Sequence, residues 1–187
     1  IAIRELLIEK DVLTAQEIAS EIEAMDARSP ADGAAVVARA WRDPAFRERL
    51  LADGSAASRE MGFDIGPMKL IAVENTHTLH NIVVCTLCSC YPWSVLGLPP
   101  VWYKSPAYRS RSVRDPRGVL AEFGVTLPEG TDVRVWDSTA EVRYLIIPMR
   151  PAGTEGWSED KLAELVTRDS MIGTGLALSP QALEQAS

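Results

Sequence analysis

Apolar residues along the first sixty positions recur at helical spacing, with helix signals between them. Thr14-Ala15-Gln16-Glu17 has the Ser/Thr-x-x-Glu form of a capping box, and Ala15, Ile18, Ile22 and Met25 follow on one helical face. That helix is expected to end near Ala27-Arg28-Ser29-Pro30. A second follows Pro30, with Val36, Val37, Ala40 and Trp41 turned inward. Asp43-Pro44 sets an N-cap before a proline at the first helical position. The third helix it opens carries Phe46, Leu50 and Leu51 on its inner side and is expected to stop at Gly54. Ser55 to Met61 predicts a further turn or two, closed by Gly62. Ahead of these, Ile3 to Val12 bears apolar residues with little nearby to pack on, an arm suited equally to a partner chain and to its own domain.

Beyond Gly66-Pro67 the period changes. Lys69 to Val73 and His80 to Val84 are short, β-branched and apolar, as buried strands are. Helix returns between Ser105 and Gly124, where Asp115-Pro116 repeats the cap signature. Two more strands are expected at Asp132 to Trp136 and Arg143 to Pro148. A turn-rich connection then leads to a helix opened by Ser158, with Leu162, Leu165 and Val166 inward. The pattern predicts an α+β protein: residues 1–64 a helical N-terminal arm, residues 65–187 an α/β domain.

Composition narrows the function classes. A chain of 187 residues, 47% hydrophobic and 24% charged, can bury a core and is not disordered overall. With 19 Lys and Arg against 26 Asp and Glu, the net charge of −7 argues against nucleic acid as the main partner. No apolar run reaches the ~20 residues of a membrane span, and the start, Ile1-Ala2-Ile3-Arg4-Glu5, lacks the order of a signal peptide, so a cytoplasmic location is expected.

All three cysteines fall within Cys85-Thr86-Leu87-Cys88-Ser89-Cys90, which makes a poor disulfide framework and a good metal or redox site. Two coordination readings stand at this point. In one, the Cys88 and Cys90 thiolates and the backbone nitrogens of Ser89 and Cys90 form a plane of four donors, with Cys85 axial and the opposite position open. That donor set demands a strong Lewis acid such as trivalent iron or cobalt, and it exposes the thiolates to oxidation. In the other, the three thiols and His80 or His77 hold zinc or an iron–sulfur cluster, both of which usually take four protein donors.

The flanking residues carry a resemblance. Val83-Val84-Cys85-Thr86-Leu87-Cys88-Ser89-Cys90-Tyr91-Pro92-Trp93 is similar to the metal-binding claw of nitrile hydratase α subunits. The likeness extends through Ser94 to Pro100, Tyr108-Arg109-Ser110-Arg111, Val135-Trp136-Asp137-Ser138, Arg150 to Ser158 and Leu165 to Gly173. It implies a helical arm on a layered α-β-β-α domain and a β subunit, whole or split into two chains, that covers the metal. Thr86 and Tyr91 resemble the cobalt type, implying non-corrin Co(III) rather than iron. Carried over, Cys85 is the axial thiolate, Cys88 a sulfinic acid, Cys90 a sulfenic acid, and Ser89 and Cys90 the amide donors. The activity implied is hydration of a small nitrile to its amide, with Cys90 acting as nucleophile or as base, Ser89 steadying substrate or water, and Trp93 lining the pocket. A maturation protein that inserts cobalt is a further implied partner. Thiocyanate hydrolase shares the claw but typically has Arg where Trp93 stands, which favours a neutral nitrile here. From another class, a zinc-stapled interaction subunit is the competing expectation. His80 reads as a satisfied, partly buried histidine, and Lys104, Arg109, Arg111, Arg114 and Arg117 as a solvated or subunit-facing surface.

Overall fold

The computed structural model describes residues 3–186; Ile1, Ala2 and Ser187, at the ends of the two expected segments, lie outside the described residues. Five helices come first: α1 (Ile3–Glu9), α2 (Ala15–Asp26), α3 (Pro30–Arg42), α4 (Pro44–Ala52) and α5 (Gly54–Glu60). The capping box at Thr14 forms as expected, with the Thr14 N–H and hydroxyl both donating to the Glu17 carboxylate and the Glu17 N–H donating to the Thr14 hydroxyl. Asp43 caps α4 through the Phe46 N–H at 3.0 Å. Gly54 departs from expectation. It opens α5 behind an Asp53 cap instead of stopping α4, because α5 lies so close to the sheet that a Cβ at Gly54 would stand 2.7 Å from the Leu70 carbonyl oxygen. There glycine serves close approach.

Four strands follow, each held in parallel with a partner distant in sequence. β1 (Lys69–Glu74) pairs with β4 (Val142–Ile147), and β2 (Leu79–Val84) pairs with β3 (Asp132–Asp137). Parallel partners need a long crossover. The one from β2 to β3 carries α6 (Trp93–Leu96), a 3₁₀ turn (Val101–Lys104), α7 (Pro106–Arg114) and α8 (Pro116–Glu122). The one predicted helical stretch is thus two helices, capped by Ser105 and Asp115. The chain closes with α9 (Glu159–Ala163), α10 (Arg168–Ile172) and α11 (Pro180–Ala186). The helix opened by Ser158 is shorter than expected, and Leu165 and Val166 are buried just beyond its end.

Helices α3, α4 and α5 share one core with the strands, where Val36, Val37, Phe46 and Leu50 meet Leu70, Val84, Leu145 and Ile147. Burying a side chain such as Leu50 contributes about 1.5–3 kcal/mol. By contrast, α1 and α2 bury none of their described residues, and Ile3, Ile22 and Met25 stay exposed. Among the described residues no helix is long and apolar enough to cross a membrane.

One buried polar chain ties the two sheets to α10. The Asn81 N–H and side-chain amide donate to Asn75 Oδ1 at 2.8 and 2.9 Å, which turns the Asn75 amide nitrogen toward His80 Nδ1 at 3.3 Å. Nδ1 must therefore accept, so Nε2 carries the proton and donates to the Gly173 carbonyl at 2.7 Å. His80 is held neutral, and burial lowers its pKa against the raising effect of the Gly173 bond. Because the folded pKa lies below the unfolded value of about 6.5, the unfolded chain takes up this proton first on acidification. Stability contributed by His80 is full above that pH and is lost below it. Denaturant midpoints measured between pH 7.5 and 5 are expected to fall with acid, and the fall to be shallower in His80→Gln; an identical slope in the variant would place the titration elsewhere.

Candidate metal centre

The parallel register sets Val84 opposite Asp137, so β2 and β3 leave their sheet at the same edge. The Ser138 N–H extends the pairing to the Val84 carbonyl at 2.7 Å. From that edge hangs the loop Cys85 to Cys90. The Asp137 carboxylate takes the Thr86 N–H at 2.9 Å and its hydroxyl at 2.5 Å. Arg109, reaching from α7, donates through Nη1 to the carbonyls of Leu87 and Cys88, both at 3.1 Å. The Tyr103 hydroxyl donates to the Cys90 carbonyl at 2.8 Å, and Arg143 Nε to the Tyr91 carbonyl at 3.2 Å.

With its carbonyls so engaged, the loop gathers its sulfurs. Cys88 Sγ lies 3.4 Å from Cys85 Sγ and 3.2 Å from Cys90 Sγ, and all three fall within 4.8 Å of one another. Cys85 and Cys90 are buried and Cys88 is exposed. The Cys88 N–H donates to Cys85 Sγ at 3.2 Å. Hydrogen bonds from the Cys90 and Cys85 thiols, then from the Ser89 amide, lower the Cys88 pKa to about 7. Burial, then the neighbouring Cys88, pushes Cys90 up to about 12. The cluster thus concentrates negative charge on one exposed sulfur, with the backbone nitrogens of Ser89 and Cys90 turned toward it.

Three soft sulfurs beside two inward peptide nitrogens suit a transition ion and not an oxygen-seeking cation such as magnesium. The fold does not build the zinc site through His80. That residue precedes Cys85 by five positions on an extended strand, about 16 Å at the usual rise, and its ring is committed to Asn75 and Gly173. His77 lies further still. Among the described residues no histidine or carboxylate joins the sulfur cluster, which leaves a tetrahedral zinc or iron–sulfur site one protein ligand short.

The expected site residues fall together. Cys85, Cys88, Ser89 and Cys90 share the loop, with Ser89 exposed at its tip. Trp93 opens α6 and is half-buried, with the Arg28 guanidinium 4.3 Å from its ring centroid. The basic run divides. Arg111 pairs with Glu122 at 2.6 Å on the surface, and Arg117 bonds the Thr131 carbonyl, whereas Arg109 is part of the metal loop's support. Asp137, Tyr103 and Arg143 were not singled out by sequence reasoning. Asp137 and Arg109 stand in stretches that carry the family likeness, a signal that marks them without saying what they touch.

Comparison with known proteins agrees with this geometry. The description "Nitrile hydratase, alpha chain" matches residues 1–175. The low-molecular weight cobalt-containing nitrile hydratase subunit alpha of Rhodococcus rhodochrous is 60% identical over 154 residues, 81% of this chain and 73% of that one. The cobalt-containing nitrile hydratase subunit alpha of Pseudonocardia thermophila is 52% identical over 177 residues, 92% of this chain and 86% of that one. Among solved structures, a mutant thiocyanate hydrolase superposes with a TM-score of 0.91 at 42% identity, covering 97% of this chain and 89% of that chain.

Two outcomes are expected from this arrangement. In the metal-free protein at pH 7, brief iodoacetamide treatment followed by peptide mapping labels Cys88 well ahead of Cys85 and Cys90, since it alone of the three is exposed and its pKa is lowered to about 7; equal labelling would contradict the buried placement of the other two. Asp137→Asn, which takes the charge from the acceptor of Thr86, is expected to weaken metal retention about 10- to 100-fold in a chelator competition.

Proposed function

The chain belongs to the nitrile hydratase α-chain family, and on that premise we propose that it is the metal-binding subunit of a cobalt nitrile hydratase, which adds water to a nitrile to give the amide. The convergence of Cys85, Cys88 and Cys90 within 4.8 Å carries the reading. Cys85, Cys88 and Cys90 would hold cobalt through sulfur, and Ser89 and Cys90 through their backbone nitrogens, a donor set that suits the trivalent, non-corrin ion. The family resemblance implies Cys88 as sulfinic acid and Cys90 as sulfenic acid after maturation.

Cobalt held there would supply Lewis acidity toward the nitrile. The remaining work is the chain's own. Cys90, oxidised to the sulfenate, acts at the nitrile carbon as nucleophile or as base on water. Its carbonyl is held by Tyr103, so its sulfur is presented from a fixed backbone. The exposed Ser89 hydroxyl steadies water or substrate beside it, and Trp93 walls the pocket. Arg109 and Asp137 keep the loop in register with the sheet edge and need not touch substrate.

Nitrile hydratase α subunits work with a β subunit, and two features support one here. Leu87, on the metal loop, is 89% exposed and Val101, nearby in the crossover, is 90% exposed. Ile3 and Leu6 of α1 and Ile22 and Met25 of α2 stay exposed in the described chain. The β partner completes the pocket over the loop, a maturation protein delivers cobalt, and the complex is cytoplasmic. Residues 65–187 then form the catalytic part; within the helical segment 1–64, α1 and α2 act as the arm while α3 to α5 pack into the catalytic part's core. Trp93, where an anionic substrate calls for a cation, favours a neutral nitrile over thiocyanate.

Peptide mapping of the active, cobalt-loaded complex is expected to add about 32 Da at Cys88 and about 16 Da at Cys90, the masses of two oxygens and one. Three plain thiols in an active sample would overturn the oxidised-cysteine mechanism. Stoichiometric zinc in place of cobalt would overturn the enzyme reading itself.

A further inference from the structure

Arg28 sits in the junction between α2 and α3, far from Trp93 in sequence, yet its guanidinium carbon lies 4.3 Å from the Trp93 ring centroid. That is the separation at which a cation is held by an aromatic face. The approach is built into the backbone. Gly97, which ends α6, has φ +65°, and a Cβ there would stand 2.6 Å from the Arg28 carbonyl oxygen, so a side chain at this position would push the junction away. On its other side Arg28 adjoins Ser29, which caps α3 and whose N–H donates to the Asp32 carboxylate at 3.2 Å. The Arg28 side chain is only 19% exposed, and the ion pair it makes among the described residues, to Asp64 at 4.0 Å, meets a carboxylate that is 79% exposed. A pair of that kind is screened and weak. The indole face is therefore the contact that matters for this cation.

We propose that Arg28 is a positioning residue for the substrate: by clamping one face of Trp93 it fixes the plane of the indole and so sets the width of the pocket for the nitrile's organic group. The proposal rests on the reading of Trp93 as a pocket wall. Trp93 follows Cys90 by three residues and its N–H is tied to the Tyr91 carbonyl at 2.8 Å, so its backbone moves with the metal loop. The ring plane is what remains to be set, and Arg28 sets it. Extended or aromatic nitriles, which lean on the wall, depend on this more than short aliphatic ones.

The test uses the cobalt-loaded complex with its β partner, labelled with 5-fluorotryptophan, with Trp93→Phe identifying the Trp93 fluorine resonance. Arg28→Met, close in length but uncharged, is expected to shift or broaden that resonance. It should raise KM for an aromatic nitrile about two- to fivefold relative to KM for a short aliphatic nitrile, with kcat unchanged and Arg28→Lys close to the parent. A resonance that does not move in Arg28→Met, or a KM ratio equal to the parent's, overturns the proposal. If Trp93→Phe itself leaves the KM ratio unchanged, the pocket reading of Trp93 fails and the positioning role with it. A resonance that still moves in Arg28→Met then distinguishes that failure from an Arg28 that never held the ring.

Discussion

The parallel pairing of β2 with β3 is the constraint on which the metal loop depends. Two strands that run the same way end at the same edge, so the residue opposite Val84 is Asp137 and the Asp137 carboxylate meets Thr86 as the chain turns out of the sheet. Parallel strands also require a long crossover. Here that connection begins as the cysteine loop and returns as the 3₁₀ turn and α7, which supply Tyr103 and Arg109 to the same loop. Topology therefore provides the loop, its anchor and its supports in a single excursion of the chain.

The electrostatics of the loop follow from how its peptide groups are turned. Carbonyls of Leu87, Cys88, Cys90 and Tyr91 face donors from Arg109, Tyr103 and Arg143. The amides of Cys88 and Ser89, which share peptide units with the Leu87 and Cys88 carbonyls, consequently face sulfur. A peptide unit cannot aim both ends inward, so fixing the oxygens outward is what leaves the nitrogens pointing at the place an ion would take. A short six-residue loop could not hold this arrangement by its own torsions against the entropy of the free chain. The long-range donors hold it.

Away from the loop, the helices divide by what they bury. α3, α4 and α5 complete the core against both sheets. α1 and α2 present apolar residues that the described chain leaves uncovered, as befits a subunit of a larger assembly. The α2–α3 junction belongs to both regimes, since Arg28 reaches from it to the first helix after the metal loop.

The sequence by itself determined the local elements and the chemical identity of the site. Capping boxes and Asp-Pro starts are interactions over three or four residues, so Thr14 and Asp43 were legible without a fold. Three cysteines within six positions are close whatever the rest of the chain does, and the residues around them carried the family likeness. Gly54 misled because its role is a contact with Leu70, which no local pattern encodes. His80 could be read as satisfied but not as paired with Asn75 and Gly173, and only that pairing removed it from the metal. Asp137, Arg109, Tyr103 and Arg28 act across thirteen to sixty-five positions of chain. Such contacts exist only once strand register and helix packing are set, because a side chain's partner at that separation is chosen by the tertiary fold and not by its neighbours in sequence.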